Sequence, residues 1–382
     1  MMRKIACQRE LFDIPDSVAW LNCAYMSPLM REAVEAGESG VRRKAHPWNL
    51  APADFFTESE RARGLFARIV NAAPDDIAIV PSASYGMEIA ARNLAAPAGS
   101  RILLLDEQFP SNVYPWRALA ERSGARIETV PRPADDDWTA AVLEAIGPDV
   151  AVAALPHNHW TDGGLVDLGR VGAALREAGA AIAVDATQSL GALPLDVRRV
   201  RPDFLVAASY KWMMGPYSIG FLYVDPKHHE GRPLEHNWIA RAGSEDFSGL
   251  VLYRDDYQPG ARRFDMGERS NFALMPPAIA AMRQILEWGV ADIQETLSAL
   301  TRDIAARTAE LGIGSVPADR RAGHYLGLRF PGGIPDDLGR RLAEQGIFIS
   351  VRGASMRVTP HLYNTDADID RFVDALRHHL RS

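Results

Sequence analysis

Cysteine is nearly missing: Cys7 and Cys23 are the only two in 382 residues. They are too few for a disulfide framework and have no metal-ligand spacing, so a reducing cytosol is the expectation. Positive charge is also short. Lys and Arg number 42 against 49 Asp and Glu, a net charge of −7, which argues against a nucleic-acid or anionic-membrane partner. No apolar run is long enough to span a bilayer. The opening Met-Met-Arg-Lys is followed by Ile-Ala-Cys-Gln-Arg-Glu rather than by the apolar core of a signal peptide. A soluble, cytoplasmic protein is therefore expected. A Gly-x-Gly-x-x-Gly turn after a strand is missing too. The nearest string, Gly312-Ile313-Gly314, meets Pro317 where the last glycine belongs, which disfavours a nicotinamide oxidoreductase. Internal repeats and low-complexity segments are likewise absent.

What remains is an ordinary globular balance, 47% hydrophobic and 24% charged, with length for one large or two modest domains. Residues 29–45 and 54–72 carry helical periodicity, with Phe55, Phe56, Leu65, Phe66 and Ile69 toward one face of the second. Between them, Ala45-His46-Pro47-Trp48-Asn49 reads as a loop. Strand patterns then recur at 77–80, 102–105, 127–130, 150–155, 181–184, 204–208 and 219–224, with helical patterns from about 85 and over 113–122 and 168–178. This alternation predicts an α/β fold with a mainly parallel sheet and helices on both faces. The polar stretch 226–266 reads as an excursion. Beyond it, helices at 277–288 and 291–311 lead into a smaller C-terminal α+β part. That part has strands at 326–330, near 347–351 and 356–359, a helix at 336–345 and a last helix from Asp366. The expected division is a large domain over 15–270 and a small one built from 1–14 and 271–382.

The chemistry centres on two strand ends. The apolar run 204–208 is followed by Ser209, Tyr210 and Lys211, and the run 181–184 ends on Asp185. Parallel strands would present acid and amine at one carboxyl edge, where open α/β sheets bind ligands. An aldehyde cofactor with a basic ring nitrogen, pyridoxal phosphate, would use both. Lys211 would hold it as a Schiff base and Asp185 would keep the ring nitrogen protonated. On the residues alone, a surface lysine and a capping aspartate fit equally well. Ser82-Ala83-Ser84-Tyr85-Gly86 opens a helix after a strand, a place for an anion such as the cofactor phosphate or for plain capping. Phe109, after the strand ending at 105, could cover the cofactor ring or simply join the core. His157 and His159 lack a third ligand at a recognisable spacing, so no metal is expected.

The strings Asp-Ala-Thr-Gln-Ser-Leu-Gly-Ala-Leu-Pro-Leu-Asp-Val from 185 and Asp-Phe-Leu-Val-Ala-Ala-Ser-Tyr-Lys ending at 211 resemble the class V aminotransferase family. This is a group of fold-type I pyridoxal phosphate enzymes that includes cysteine desulfurases, kynureninases and isopenicillin N epimerases. The stretches 21–28, 357–359 and 362–365 agree, so the resemblance spans nearly the whole chain. It implies that Ala83 and Ser84 contact the phosphate, that Gln188 hydrogen-bonds the phenolic oxygen, and that Phe109 stacks on the ring as in kynureninases. Ser209, Tyr210 and Lys211 match the Ser-Tyr-Lys of kynureninases, where the tyrosine reaches the phosphate. Arg357 matches the arginine that holds the substrate carboxylate. Asn271 and Trp238 loosely match cofactor or substrate contacts, and Trp48 is expected at the mouth. Glu268 or Ser270 stands where relatives reach the neighbouring subunit's phosphate with a threonine. Desulfurases carry a mobile cysteine shortly before the arginine, and 350–355 has none.

The resemblance thus implies a homodimeric enzyme acting at Cα or Cβ of a small amino-acid substrate. A kynureninase-like or C–S-cleaving lyase is expected, with an aminotransferase or epimerase as the alternative. A catalytically silent binding protein on the same fold is the alternative from outside the enzymes; the presence of Lys211 speaks against it.

Overall fold

A computed structural model describes residues 4–380. Seven strands form one sheet in the order Ile77–Val80, Gly220–Val224, Phe204–Ala208, Ala181–Asp185, Val150–Pro156, Arg101–Leu105, Arg126–Val130. Gly220–Val224 runs antiparallel to both its neighbours, and the remaining neighbouring pairs are parallel. Most of these strands read as unbroken apolar runs because both faces are covered: every residue of the edge strand Ile77–Val80 and of Phe204–Ala208 and Gly220–Val224 is buried. Alternation along each strand sends Ile79, Leu103, Leu155, Val184 and Leu205 to one core. Their neighbours Val80, Leu104, Ala154, Ala183 and Val206 go to the other.

A third core joins Leu326, Leu328, Leu342, Ile347, Met356, Val358 and Phe372 with Ala19 and Leu21. It lies behind a four-stranded antiparallel sheet that contains Leu326–Arg329, Ser350–Arg352 and Ser355–Val358. The N-terminal strand Ala19–Trp20 pairs with Ile347–Phe348, and Asn22 bridges to Thr359. The strand expected near 347–351 is thus two strands, because the chain leaves one partner after Phe348 and takes another at Ser350. Alternation alone cannot reveal such a change of partner. A helix also forms at Trp138–Ala145, where none was expected, begun by Asp137, whose side chain accepts from the Ala140 N–H at 3.0 Å. Among the described residues no helix is long and apolar enough to cross a membrane.

Candidate active site

Adjacent parallel strands carry Asp185 and the approach to Lys211 to one edge of the sheet, with Asp185 in register with Val206. The two loops that follow can touch because Gly191, at φ +100°, has no side chain. A Cβ there would come within 2.4 Å of the Trp212 carbonyl oxygen. Beyond Lys211 the chain turns back, with Met214 N–H on the Lys211 carbonyl and Gly215 N–H on that of Ser209.

Lys211 is 6% exposed, and its Nζ lies 5.2 Å from the Phe109 ring centroid and 5.4 Å from that of Tyr210. Burial pushes the amine down from its ordinary 10.5 to about 8; Asp185 opposes this, while Arg357 and Arg352 add to it. About a tenth of the amine is therefore in the neutral, nucleophilic form at pH 7, far more than for an ordinary lysine. Asp185 accepts the Thr187 N–H at 3.0 Å on Oδ1. Burial raises its carboxyl, against Thr187 and the charge of Lys211. Gln188 is held from both sides: its Nε2 donates to the Ala24 carbonyl at 3.1 Å and its Oε1 accepts from Trp212 Nε1 at 3.0 Å. One N–H of the amide is left over.

These groups face a cavity of about 400 Å³ whose lining also includes Ala83, Ser84, Phe109 and Tyr210. The helix Ala83–Asn93 points its N-terminus there, capped by Ser82, whose hydroxyl accepts from Tyr85 N–H. The N–H groups of Ala83 and Ser84 lie in the first turn, where a helix offers no internal acceptor. Phe109 meets Trp160 edge-on, with ring centroids 5.3 Å apart. Tyr210 packs on Tyr217 at 4.6 Å, and burial, Tyr217 and Asp185 push its phenol up to about 12.

Arg357 is 2% exposed and hydrogen-bonds only neutral oxygens: Ser350 Oγ at 2.8 Å, the Trp160 carbonyl at 3.2 Å and the Tyr325 hydroxyl at 3.3 Å. Its guanidinium stands 5.8 Å from the ring centroid of Trp160, which lines the cavity. Arg357 does not itself line the cavity and Trp238 lines a separate groove; three further expected residues also stand elsewhere. Ser209 adjoins Lys211 but turns its hydroxyl to the carbonyls of Pro216 and Ile219, each at 2.8 Å, so it braces the turn. Asn271 accepts from the N–H groups of Ala273 and Leu274 in the turn that leads into the helix Met275–Trp288. Trp48 is 76% exposed and meets the His46 ring edge-on.

Sequence reasoning missed Thr187, Tyr217 and Ser218 in the lining. Thr187 sits inside the Asp-Ala-Thr-Gln string and also takes the Ala208 N–H at 3.2 Å, so the string held a signal. Tyr217 and Ser218 arrive through a turn with Met214 at φ +53° and Ser218 at φ +68°, which left none. Cys23, remote in sequence, lies close enough to Lys211 to feel its charge. Burial nevertheless pushes its thiol far above the ordinary range. His159 stacks on Trp138 at 5.1 Å and shares a hydrogen bond with the Asp106 carbonyl, so it serves packing.

A desolvated lysine, a buried carboxylate behind it and a helix N-terminus at one edge of a mainly parallel sheet define a pyridoxal-phosphate-type enzyme site. The residues fit that cofactor. Lys211 forms no ion pair among the described residues, Asp185 lines the same cavity, and the cavity has an aromatic wall. The class V aminotransferase family matches residues 30–372, and the chain belongs to it, an enzyme whose cofactor is pyridoxal 5'-phosphate. It is similar to an isopenicillin N epimerase of Streptomyces clavuligerus, 26% identical over 94% of each chain. It also resembles a kynureninase of Myxococcus xanthus, 27% identical over 94% of this chain and 86% of that one. Its fold matches a cysteine desulfurase of Thermococcus onnurineus over the full length of both chains, with a TM-score of 0.85 at 19% identity.

Proposed function

We propose that the protein is a lyase that cleaves the Cβ–Cγ or Cβ–S bond of a small amino-acid substrate. The observation that carries the substrate class is Arg357, a buried guanidinium with no carboxylate partner among the described residues, near enough to Lys211 for its charge to act on that amine. A planar fork so placed suits a substrate carboxylate. Ala83, Ser84 and Tyr210 would hold the cofactor phosphate, Asp185 the ring nitrogen, Gln188 the phenolic oxygen, and Phe109 the ring face. When bound, pyridoxal phosphate supplies an electron sink for negative charge developing at the substrate Cα. Lys211, its proton affinity lowered by burial, takes the Cα proton and returns it.

Sulfur relay is disfavoured. The residues before Arg357 form a tight hairpin without cysteine. Cys23 is buried with its thiol held protonated, and Cys7 lies at a separate groove beside Asn364. Epimerisation is the second reading, favoured by the similarity to the S. clavuligerus epimerase along 94% of both chains; transamination shares the same early steps. We further propose a cytoplasmic homodimer. Val251, Leu252 and Tyr253, 78%, 71% and 97% exposed, together with Trp48, offer apolar surface for a second copy. The test is the visible spectrum of the purified protein with a panel of amino acids, assaying keto acid, ammonia, sulfide and aromatic amine. Turnover with loss of a β-substituent supports the lyase, and inversion alone supports the epimerase. A protein that takes up no cofactor would sink the enzymatic reading.

A further inference from the structure

The hairpin of Ser350–Arg352 and Ser355–Val358 places a second arginine beside the first. Ser350 stands opposite Arg357 and Arg352 opposite Ser355, so Ser350, Arg352, Ser355 and Arg357 share one face. Met356, on the opposite face, enters the small-domain core. Arg352 and Arg357 are thus diagonal neighbours, with Cβ atoms about 7–8 Å apart. The turn is two residues long, with Gly353 at φ +55°, which fixes the register of both arginines.

Arg352, half-buried, donates only to the adjacent Val351 carbonyl, at 2.7 Å. It has no carboxylate within ion-pair distance among the described residues. Glu107, whose carboxylate comes near the turn at Gly353, is held by Arg132 at 2.9 Å. Like Arg357, Arg352 acts on Lys211 and on the buried Tyr325, and burial with the charge of Arg357 lowers its own proton affinity. Two like charges held side by side without counterions repel each other, an arrangement that a doubly anionic ligand would relieve.

We propose that Arg352 forms a second anion subsite beside Arg357, so that the substrate is an amino acid bearing a second acidic group on its side chain. This rests on the reading of Arg357 as the substrate-carboxylate residue. The test is calorimetric titration of the cofactor-loaded protein with succinate, glutarate and adipate, against butyrate, pentanoate and hexanoate. The wild type should bind at least one diacid about tenfold or more tightly than its monoacid partner. Arg352→Gln should collapse that ratio toward one, and Arg352→Lys should restore part of it. Equal preference in the wild type, or equal weakening of both acids by Arg352→Gln, would overturn the subsite and leave Arg352 a structural residue. The visible cofactor band reports separately on Lys211. A protein that binds no pyridoxal phosphate fails the enzymatic reading while its diacid preference stays measurable; a loaded protein without that preference refutes the subsite alone.

Discussion

Replacing Lys211 by methionine should stabilise the cofactor-free protein while abolishing its capture of pyridoxal phosphate. In the unfolded chain the amine titrates near its ordinary 10.5, and in the fold burial brings it to about 8. At about 1.4 kcal/mol per pH unit, that difference is worth about 3 kcal/mol. The sign follows from proton counting. The folded chain binds this proton less tightly than the unfolded one, so the charged lysine opposes folding below about pH 8. Stability then rises with pH toward 10.5, above which neither state holds the proton. Methionine has a similar length and no charge, so the variant escapes the penalty. At pH 7 the cofactor-free Lys211→Met protein should be more stable than cofactor-free wild type by up to about 3 kcal/mol, and the gap should close between pH 8 and 10.5. Urea midpoints of both proteins across that pH range measure this directly. A variant no more stable at pH 7, or a gap that ignores pH, would refute the claim that the fold holds this lysine desolvated.

Arg357→Ala removes a charge-assisted hydrogen-bonding fork worth about 1.5–3 kcal/mol. Its kcat/KM should fall about 10- to 150-fold, chiefly through KM; an unchanged KM would remove its role. Asp185→Asn should leave cofactor bound but lower kcat by about two orders of magnitude, because the amide cannot stabilise a protonated ring nitrogen; stopped-flow spectra with substrate would show wild-type rates if this is wrong. Replacing Cys7 by serine and Cys23 by alanine together should keep turnover within about twofold, and loss of activity in the folded variant would reinstate a cysteine relay. Asp162→Asn should destabilise the protein by about 1–3 kcal/mol, since buried Asp162 bridges the half-exposed Arg132 and Arg329 at 2.6 and 2.8 Å; an unchanged urea midpoint would show that the bridge contributes nothing.

Most strands of the large sheet were legible because burial on both faces writes continuous apolar runs, although the edge strand Arg126–Val130 is buried only at Val130; Asp185 and Lys211 were legible because each lies at or just past the end of such a run. Elements that rely on a distant partner were not. Ala19–Trp20 and Gly314–Ser315 are two residues each and exist as strands only through Ile347–Phe348 and Leu326–Arg329. Site residues divided along the same line. Asp185, Gln188 and Lys211 lie in local strings next to strands, whereas the setting of Arg357 depends on Trp160 and Tyr325, each remote from it in the chain. Ser209 and Asn271 show the converse. Adjacency to Lys211 or to a family string marked them, yet the local backbone takes up their polar atoms, each in a turn.

The loop 157–163, which the sequence left unplaced, is the joint between the two halves of the site. Its Trp160 indole donates to the Glu107 carbonyl at 2.6 Å, on the side of the large sheet. Its Trp160 carbonyl accepts from Arg357 in the small sheet at 3.2 Å and also from Tyr325, which immediately precedes that sheet's strand Leu326–Arg329. Two residues on, Asp162 takes Arg132 from one side and Arg329 from the other. Burial works against the ionised form of Asp162, but His159 and Arg132 outweigh it and hold the carboxyl below its ordinary range. That charge persists near neutrality, so the joint holds at any pH at which Lys211 is partly neutral. Together with the ion pairs of Arg320 with Asp137 and of Arg329 with Asp136, this loop therefore helps set the distance between Lys211 and Arg357. Variants there should change kcat and KM together, although its charged side chains are committed to holding the two sheets in place.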